Sequence, residues 1–399
     1  MKNIIILIVG LFASDLLAQT NWTQINSNTN NNLQDIVFTS YNIGYIVGDN
    51  GTVLKTNDSG NNWNSIFSDF TQSFISTSFV NDNVGYILTT EKLYKTVDGG
   101  ISWQLKYTST NSFLNVIYFV SENTGFIGSD SGILKTIDGG INWLLVQSIP
   151  HKIKSIYFTN SEIGYFVGGT DSSDNIYKTI NQGVNFTNNA LFMQSIKEKV
   201  FFISNEIGFI IGWYSPYIKK TIDGGLTWVD LYNSFTNSLG GIEINFINEQ
   251  NGFYVDNSGG QYNLFSTTNS GQTWINELNI TSNSNYSISK LSTKFNNGCL
   301  IGNNGLIYKK DNLLSINEIK KNENNIEIFP NPTSDEINIE YNPINVKIKS
   351  INLIDENGKI IESIKSDFQK LRLQNIAQGI YFLNFITEKG IISRKFIRK

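Results

Sequence analysis

The chain has 399 residues, of which 13% are aromatic and only 16% are charged. This length exceeds the usual size of a single domain and predicts two folded units. A formal net charge of -4 leaves no basic surface for a nucleic-acid backbone, and the many Asn, Ser, Thr and Gly residues favour a turn-rich all-β protein over a disordered one.

The first residues have the pattern of a secretory signal peptide. Lys2 is followed by the apolar run Ile4 to Phe12, and Ala18 precedes a suitable cleavage point. We therefore predict a signal peptide at residues 1–18 and a protein that is secreted or displayed on the outer-membrane surface. The apolar run is too short to span a bilayer, so no transmembrane segment is predicted. No cysteine follows the signal, which excludes a lipoprotein anchor.

An internal repeat dominates the chain up to residue 312. Seven aromatic residues recur at spacings of 40 to 46 residues: Trp22, Trp63, Trp103, Trp143, Phe186, Trp228 and Trp274. This period matches the roughly 40 to 45 residues of a four-stranded propeller blade. The sequence therefore predicts a seven-bladed β-propeller at residues 19–312.

Most repeats carry an Asp-box turn, (Ser/Thr)-x-Asp-x-Gly-x-x-Trp, before the last strand of the blade. Four copies are complete, at residues 56–63, 96–103, 136–143 and 221–228, and two are degenerate, at 179–186 and 267–274. We expect the carboxylates to accept hydrogen bonds from their own turn and the indoles to pack between blades. The predicted structural residues are Asp58, Asp98, Asp138, Asp223, Trp63, Trp103, Trp143, Trp228 and Trp274.

The two ends of the repeat region complement each other. An isolated Trp strand, 21–25, opens the mature chain, and the last repeat ends after the strand at 306–309 without an Asp box. Pairing these two strands would complete the last blade and leave no open edge. The sequence therefore predicts a ring that is closed non-covalently.

After a polar linker at 313–325, a second module occupies residues 326–399. Its short alternating strands predict a small Ig-like β-sandwich. The module begins with Phe329-Pro330-Asn331-Pro332-Thr333, has an Asn-Gly turn at 357–358 and a Gly-Ile-Tyr strand at 379–381, and ends in a basic segment. These features resemble the type A sorting domain of the type IX secretion system of Bacteroidetes. The alternative is an ordinary Ig-like domain that happens to be terminal.

The resemblance of the tail implies a route of export. Cargo of that family leaves the cytoplasm by Sec, the type IX translocon then recognises residues 326–399, and a sortase usually removes the tail. The cargo is afterwards released or attached to surface lipopolysaccharide.

The repeats at residues 21–310 resemble the photosystem II assembly and stability factor family of Asp-box (BNR-like) propellers. The likeness implies the architecture but no photosynthetic role, because a type IX tail implies a cell without that photosystem. Asp boxes also occur in sialidases and some endoglucanases. The only arginines are Arg372, Arg394 and Arg398, all in the tail, so the propeller has no arginine triad for a sialic acid carboxylate.

Candidates for other catalysis are few. Carboxylates outside the Asp boxes include Asp35, Asp130, Asp171, Asp174, Glu198 and Glu243, and none of these recurs in a motif. We interpret them as solvated loop acids. His151 is the only histidine, which argues against a Ser-His-Asp triad and most metal sites, and Cys299 lies in an apolar strand pattern typical of a core residue. No cofactor or metal is predicted.

One stretch departs from the repeat in a way that indicates binding. Trp213, Tyr214 and Tyr217 replace a polar turn, and Asp171 and Asp174 lie in the longer loop of the preceding blade. Exposed aromatics stack on sugars or anchor protein partners, although these rings would equally serve to cap the propeller channel. We predict a secreted protein that binds a protein or a glycan. The alternatives are a secreted carbohydrate-active hydrolase that uses loop carboxylates and an envelope assembly factor.

Overall fold

The computed structural model describes residues 22–67, 70–170, 173–190, 197–212, 218–231, 238–258, 260–281, 287–313, 326–329, 332–341, 347–355, 359–366, 368–373, 376–387 and 390–399. The chain divides into two compact units, residues 1–313 and 314–399. The predicted signal peptide and residues 314–325 of the predicted linker lie outside the described residues.

Seven antiparallel four-stranded sheets are formed by the described residues of the first unit. The strand that completes the last of them is β1, Thr23–Ile25. Blade 1 contains β2 Leu33–Phe38, β3 Gly44–Gly48, β4 Val53–Thr56 and β5 Asn64–Phe67. Blade 2 contains β6 Ser76–Phe79, β7 Gly85–Leu88, β8 Lys92–Thr96 and β9 Gln104–Thr108. Blade 3 contains β10 Leu114–Phe119, β11 Gly125–Ser129, β12 Gly132–Thr136 and β13 Leu144–Ser148.

The next three blades repeat this order of four consecutive strands. Blade 4 contains β14 Ile153–Phe158, β15 Gly164–Thr170, β16 Ser173–Thr179 and β17 Thr187–Ala190. Blade 5 contains β18 Lys197–Phe202, β19 Gly208–Gly212, β20 Ile218–Thr221 and β21 Val229–Asp230. Blade 6 contains β22 Ser238–Phe246, β23 Gly252–Ser258, β24 Gln261–Thr267 and β25 Ile275–Thr281.

Blade 7 combines both ends of the first unit. Its strands are β26 Ile288–Ser292, β27 Gly298–Gly302 and β28 Ile307–Lys310, with a short 3₁₀ helix, Lys294–Asn296, between the first two. The outer strand is β1, which pairs antiparallel with β28 in the register Thr23 to Lys309 and Ile25 to Ile307. The predicted pairing that closes the ring is therefore observed.

The first strand of every blade lies at the centre of the ring. These strands (β2, β6, β10, β14, β18, β22 and β26) contact their counterparts in the neighbouring blades. The turns that carry the Asp boxes lie on one side of the ring, which we call the Asp-box face. The inner strands begin at the other side, which we call the channel face, together with the turns between the second and third strands. Two different surfaces are thus available to partners.

Aromatic rings fill the junctions between blades. Phe119, the last residue of β10, stacks on Tyr86 of blade 2 at a centroid distance of 3.5 Å and meets Trp143 of its own blade edge-on at 6.1 Å. Tyr165 stacks in the same way on Phe202 of blade 5, at 3.7 Å. Blade 7 has Thr293 in place of this phenylalanine, and there Trp22 meets Phe253 of blade 6 instead, at 6.0 Å.

A lysine stands directly before the Asp box in blades 1 to 5, and several of these lysines connect their blade to the next one. Lys55 Nζ of blade 1 donates to the carbonyl of Gly99 in blade 2 at 3.1 Å, and Lys178 of blade 4 donates to that of Gly224 in blade 5 at 2.7 Å. Lys309 closes the series, because its ammonium reaches Asn61 Oδ1 of blade 1 at 2.8 Å. Charge-assisted hydrogen bonds of this kind are stronger than neutral ones. These lysine hydrogen bonds connect Asp-box turns to the blade that precedes them.

The second unit contains two sheets. The three-stranded sheet is formed by β29 Ile326–Phe329, β30 Glu336–Tyr341 and β33 Lys370–Arg372. The four-stranded sheet is formed by β31 Ile348–Asp355, β32 Ile360–Ile364, β34 Gly379–Thr387 and β35 Gly390–Arg398. Buried residues of both sheets, among them Ile337, Leu353 and Phe385, belong to one apolar core. The Ig-like assignment of this unit stays a prediction.

The all-β, propeller-like architecture that we predicted is confirmed by this arrangement of repeated four-stranded sheets. Within the described part of the chain, no helix is long and apolar enough to cross a membrane.

Replacement of Trp22 by Ala tests how much ring closure contributes to stability. Trp22 is 6% exposed and belongs to a core that also contains Leu300 and Leu306, so we expect the free energy of unfolding to fall by roughly 3 to 5 kcal/mol. Urea unfolding followed by fluorescence would measure the loss. Leu144→Ala is the control, because Leu144 is exposed and should change stability by less than about 0.5 kcal/mol. Equal stability of W22A and the wild type would show that the ring does not depend on its first strand.

Candidate functional site

The inner strands of all seven blades line a central cavity of about 1100 Å³. Along these strands, the residue that pairs with the fourth residue of the second strand occupies the same level in each blade. From blade 1 to blade 7 these residues are Asp35, Ser76, Val116, Ser155, Lys199, Glu243 and Lys290. The residue types differ sharply around the ring, although the backbone repeats. At this level, the charged residues are therefore confined to blades 5, 6, 7 and 1.

Four of these residues, which we call the charged arc, form a chain of ion pairs through blades 5, 6, 7 and 1. Lys199 Nζ lies 2.9 and 3.0 Å from the two oxygens of Glu243. Lys290 Nζ lies 3.9 Å from Glu243 Oε2 and 3.2 Å from Asp35 Oδ1. The charges alternate in sign, so each lysine neutralises a carboxylate of a neighbouring blade.

The protonation of the two lysines differs because their neighbours differ. Burial lowers the pKa of Lys199 to about 8, although Glu243 opposes this shift. Burial also disfavours the charged form of Lys290, but the carboxylates of Asp35 and Glu243 outweigh it and raise the pKa of Lys290. Lys290 is therefore the permanent cation between two acids, while Lys199 titrates nearer to neutral pH.

Asp35 also joins blade 1 to blade 2 through hydrogen bonds. Its Oδ2 accepts from the backbone N–H of Thr77 at 2.8 Å and from the hydroxyl of Ser76 at 3.1 Å. Ser76 Oγ in turn accepts from the N–H of Ile117 in blade 3 at 3.3 Å. The bonds from Thr77 and Ile117 satisfy N–H groups on the free edges of inner strands, where the sheet supplies no partner. The charged arc thus belongs to a network that connects adjacent blades.

The opposite side of the channel is aromatic. Tyr118, Tyr157 and Phe201 occupy the equivalent position of blades 3, 4 and 5, two residues further along the strand, and line the same cavity. Tyr157 and Phe201 are 5.1 Å apart between ring centroids. Burial raises the pKa of both tyrosines, so their hydroxyls stay neutral. The channel therefore presents a charged wall to an aromatic wall.

The mouth of the channel at the channel face is rich in polar groups. Gln34 Nε2 donates to Asp49 Oδ1 at 3.1 Å, and Asn115 Nδ2 donates to Asp130 Oδ1 at 2.9 Å. Phe113 lies beside this second pair and is 56% exposed. Sequence reasoning missed Phe113, because no departure from the repeat marks it. Its position directly before an inner strand was the available signal.

The predicted contact patch lies mostly outside the described residues. Trp213, Tyr214, Tyr217 and Asp171 fall within the ranges 213–217 and 171–172, for which the structure gives no description. Asp174 is in β16 and pairs with Gly169 of β15 through the backbone, but its side chain is not described. Gly212 and Ile218 flank the range 213–217, and Gly212 pairs with Lys197, the first residue of an inner strand. Strand β19 thus ends, and strand β20 begins, at the channel face.

Of the carboxylates singled out from the sequence and described in the structure, Asp35 and Glu243 are brought together by Lys290. Asp130 is exposed at the channel mouth, and the side chain of Glu198 is not described. No group of three His, Cys, Asp or Glu suited to a metal ion occurs among the described residues. Cys299 is buried in β27, and this burial raises the pKa of its thiol to about 12.

The Asp boxes have a common geometry. In blade 3, Thr136 Oγ1 donates to Asp138 Oδ1 at 2.8 Å and accepts from the N–H of Gly140 at 3.0 Å, while Asp138 Oδ1 accepts from the N–H of Asn142 at 3.0 Å. Gly140 has φ of 90°, which disfavours any residue with a Cβ. Asn181 makes the corresponding bonds in blade 4, to Thr179 and Asn185. The carboxylates are directed at their own turns and not at a common site.

The indoles of the boxes lie between strands of the propeller. Trp63 is completely buried, whereas Trp103, Trp143, Trp228 and Trp274 are half-buried. Trp143 and Trp228 donate from Nε1 to the carbonyls of Gly140 and Gly225, at 3.1 and 3.2 Å. The purely structural role of the Asp and Trp residues of the boxes stays a prediction.

The hydrogen bonds of the boxes predict a pH dependence of stability. Bonds from Asn142 lower the pKa of Asp138 to about 2, and bonds from Thr227 lower that of Asp223 to about 2. Because both native pKa values lie below the ordinary value of 3.8, the stability that they contribute is present above pH 4 and is lost as the pH falls towards 2.

The double variant Asp138→Asn, Asp223→Asn would test this prediction. Asparagine keeps the acceptor, as Asn181 shows, but does not titrate. We expect lower unfolding midpoints in urea than those of the wild type at pH 7, because the hydrogen bonds to the charged carboxylates are lost, and a smaller loss of stability between pH 4 and 2. If the stability of the variant fell with pH as steeply as that of the wild type between pH 4 and 2, Asp138 and Asp223 would not be the source of the pH dependence.

Comparison with known proteins agrees with this architecture. Residues 14–105 and 61–190 match the family described as photosynthesis system II assembly factor YCF48. Residues 327–399 match the secretion system C-terminal sorting domain, which supports export to the cell surface or secretion through the type IX system. Both resemblances drawn from the sequence are confirmed. No curated protein matches the chain.

Three solved structures show the same fold at low sequence identity. YCF48 bound to a D1 peptide is 19% identical, with a TM-score of 0.61 over 73% of this chain and 96% of that one. YCF48 from Cyanidioschyzon merolae is 17% identical, with a TM-score of 0.62 over 73% of this chain and 98% of that one. The GH74 enzyme of Niastella koreensis is 14% identical, with a TM-score of 0.58 over 94% of this chain and 67% of that one.

Proposed function

We propose that this chain is a secreted or surface-displayed β-propeller that binds a protein or glycan ligand without catalysing a reaction. On this proposal, Sec exports the chain, and the type IX system then recognises residues 326–399. The sorting tail supports the route. The observation that carries the binding function is the charged arc, in which the channel carboxylates are already engaged by lysines and by backbone N–H groups.

The charged arc argues against acid catalysis. A glycosidase needs one carboxyl group that carries a proton and gives it to the leaving group. Asp35 and Glu243 share Lys290 as a cation, and protonation of either acid would break an ion pair in a partly buried site. These ion pairs keep the charges fixed, so that a ligand can recognise them. They do not favour proton transfer to a substrate.

The channel face is the surface that we assign to the ligand. Among the described residues it contains Phe113 and the acids Asp49 and Asp130, and in sequence the stretch 213–217 with its three aromatic residues connects β19 to β20. A large exposed aromatic near fixed polar groups is typical of binding hot spots. The YCF48 propeller bound to a D1 peptide shows that a protein of this fold binds a polypeptide.

The first test is to identify ligands and then remove the aromatic residues. The mature wild-type chain would be screened on a glycan array and on an array of peptides from bacterial surface proteins. For each ligand found, we expect the triple variant Trp213→Ala, Tyr214→Ala, Tyr217→Ala to bind about tenfold or more weakly, because it loses most of its aromatic contact area. Biolayer interferometry would measure the affinities.

Tyr41→Ala provides the matched control for that experiment. Tyr41 is an exposed aromatic in the loop between β2 and β3, on the Asp-box face, so its removal should leave the affinity unchanged. If the triple variant bound as tightly as the wild type and Y41A, the channel face would be excluded as the ligand site.

A carbohydrate-active hydrolase is the second candidate. It is favoured by the similarity to the GH74 enzyme and by the position of Asp35 and Glu243, whose oxygens, both held by Lys290, are at most about 7 Å apart, within the range of glycosidase acid pairs. For this chain, hydrolase activity is a proposal, because an identity of 14% indicates the fold alone.

Glu243→Gln distinguishes the two functions. Release of reducing sugar from a panel of polysaccharides would be measured for the wild type and E243Q, with circular dichroism to confirm folding. For a binding protein, we expect both proteins to give the background rate. A wild-type rate that E243Q lowers by about 100-fold or more would establish the hydrolase instead.

A further inference from the structure

Four consecutive Asp-box turns expose branched aliphatic side chains to solvent on the Asp-box face. At the second position of the box, the residues in blades 2 to 5 are Val97, Ile137, Ile180 and Ile222. At the sixth position, they are Ile101, Ile141, Val184 and Leu226. All eight are between 58% and 72% exposed. Because the four blades are neighbours, these side chains form a band along one side of the ring, which we call the aliphatic arc.

The turn itself does not require aliphatic residues at these positions. Blade 1 has Asn57 and Asn61 there, and blade 6 has Thr268 and Gln272, all exposed. These turns retain the hydrogen bond from the N–H at the fifth position to the first threonine, for example from Gly271 to Thr267 Oγ1 at 3.0 Å. The aliphatic arc therefore has no role in forming the turn. Adjacent exposed apolar side chains of this kind are typical of an interaction surface.

Acidic side chains lie directly beside the aliphatic arc. Each box is hydrogen-bonded to the loop between the first two strands of its own blade, as from the N–H of Gly224 to the carbonyl of Glu206 at 2.8 Å and from Gln182 to Glu162 at 2.9 Å. Glu122, Glu162 and Glu206 are exposed in these loops. In blades 3, 4 and 5, a glutamate thus accompanies a pair of aliphatic residues.

Two lysines of this face are engaged by the neighbouring blade, while Lys95 interacts electrostatically with Glu122. Lys135 and Lys178 are half-buried, and their ammonium groups donate to carbonyls of the next blade at 2.6 and 2.7 Å. Burial lowers the pKa of both. A partner that approaches the aliphatic arc therefore meets carboxylates and apolar side chains, while the lysines are occupied within the blade junctions.

We propose that the aliphatic arc is a docking surface for a polypeptide segment that carries apolar and basic side chains. Charge complementarity decides between the occupants. A second copy placed face to face would bring the glutamates of both copies together, and an anionic lipid surface would be repelled by the same groups. A segment with lysine or arginine beside leucine, isoleucine or valine satisfies both features. This surface lies on the opposite side of the ring from the ligand site proposed above and does not depend on it.

Fluorescence anisotropy with two labelled synthetic peptides of equal length, one of leucine and lysine and one of leucine and glutamate, would test the proposal on the full mature chain. We expect the wild type to bind the lysine peptide about tenfold or more tightly than the glutamate peptide. A variant with asparagine at all eight aliphatic positions, as in blade 1, should bind the lysine peptide about tenfold or more weakly. The variant Glu122→Gln, Glu162→Gln, Glu206→Gln should lose affinity and most of its salt dependence.

Ile275→Thr is the matched control. Ile275 is 64% exposed but lies in blade 6, outside the aliphatic arc, and its replacement should leave the affinity unchanged. Circular dichroism and urea midpoints would confirm that every variant is folded. The proposal is overturned if the wild type and the asparagine variant bind the lysine peptide equally or not at all. It is also overturned if the aliphatic arc drives binding to phosphatidylglycerol vesicles, or dimerisation in sedimentation, without peptide binding.

Discussion

The stacking of one aromatic ring on another at the junctions between blades is the interaction on which the propeller depends. A four-stranded sheet in this chain is apolar on both faces, so it needs a neighbour on each side. Tyr86 on Phe119 and Tyr165 on Phe202 provide that neighbour at centroid distances of 3.5 and 3.7 Å. Where blade 7 has Thr293 in place of the phenylalanine, Trp22 supplies the missing ring. The need to cover both faces explains why the chain forms a ring and why its first strand returns to the last blade.

The same need for partners explains the polar residues of the channel. Inner strands are sheet edges whose N–H groups point towards the axis, and an unpaired N–H in a partly buried site is costly. Asp35 accepts a hydrogen bond from the N–H of Thr77 in blade 2. Ser155 Oγ accepts one from the N–H of Val200 in the next blade, at 3.3 Å. On the other side of the ring, ion pairs connect the blades instead. Most polar groups of the channel wall thus connect adjacent blades. The mouth of the channel and the Asp-box face are the surfaces that we propose for binding partners.

Much of this fold was predictable, because the evidence for it is local in the sequence. Each Asp box is a short motif whose hydrogen bonds join residues two to four apart, and the regular spacing of the tryptophans reveals the blade. The pairing of the first strand with the last repeat followed from counting unpaired edges. The exposure of Ile137 and Ile141, in contrast, could not be read from the sequence, since an aliphatic residue in a turn is as readily buried as exposed.

The charged arc was beyond sequence reasoning for a different reason. Asp35, Glu243 and Lys290 are distant in the chain, and an irregularity near the start of each inner strand decides which residue faces the channel. A shift of one residue would turn these side chains to the other face. Asp35 and Glu243, which we interpreted as solvated loop acids, lie instead on buried strands, and each is less than 10% exposed. That interpretation was wrong for these two residues.

The position of β1 also determines the order in which the molecule is assembled. Thr23 and Lys309 are 286 residues apart, so the strand that is synthesised first finds its partner last. Contacts between such distant residues slow folding, because the loop between them must be ordered first. Six blades can form while the seventh still lacks its outer strand, and no nascent chain shorter than this span can complete the circle. Trp22 thus acts as a check on the completeness of the propeller, since only a chain that extends through β28 offers β1 a strand to pair with.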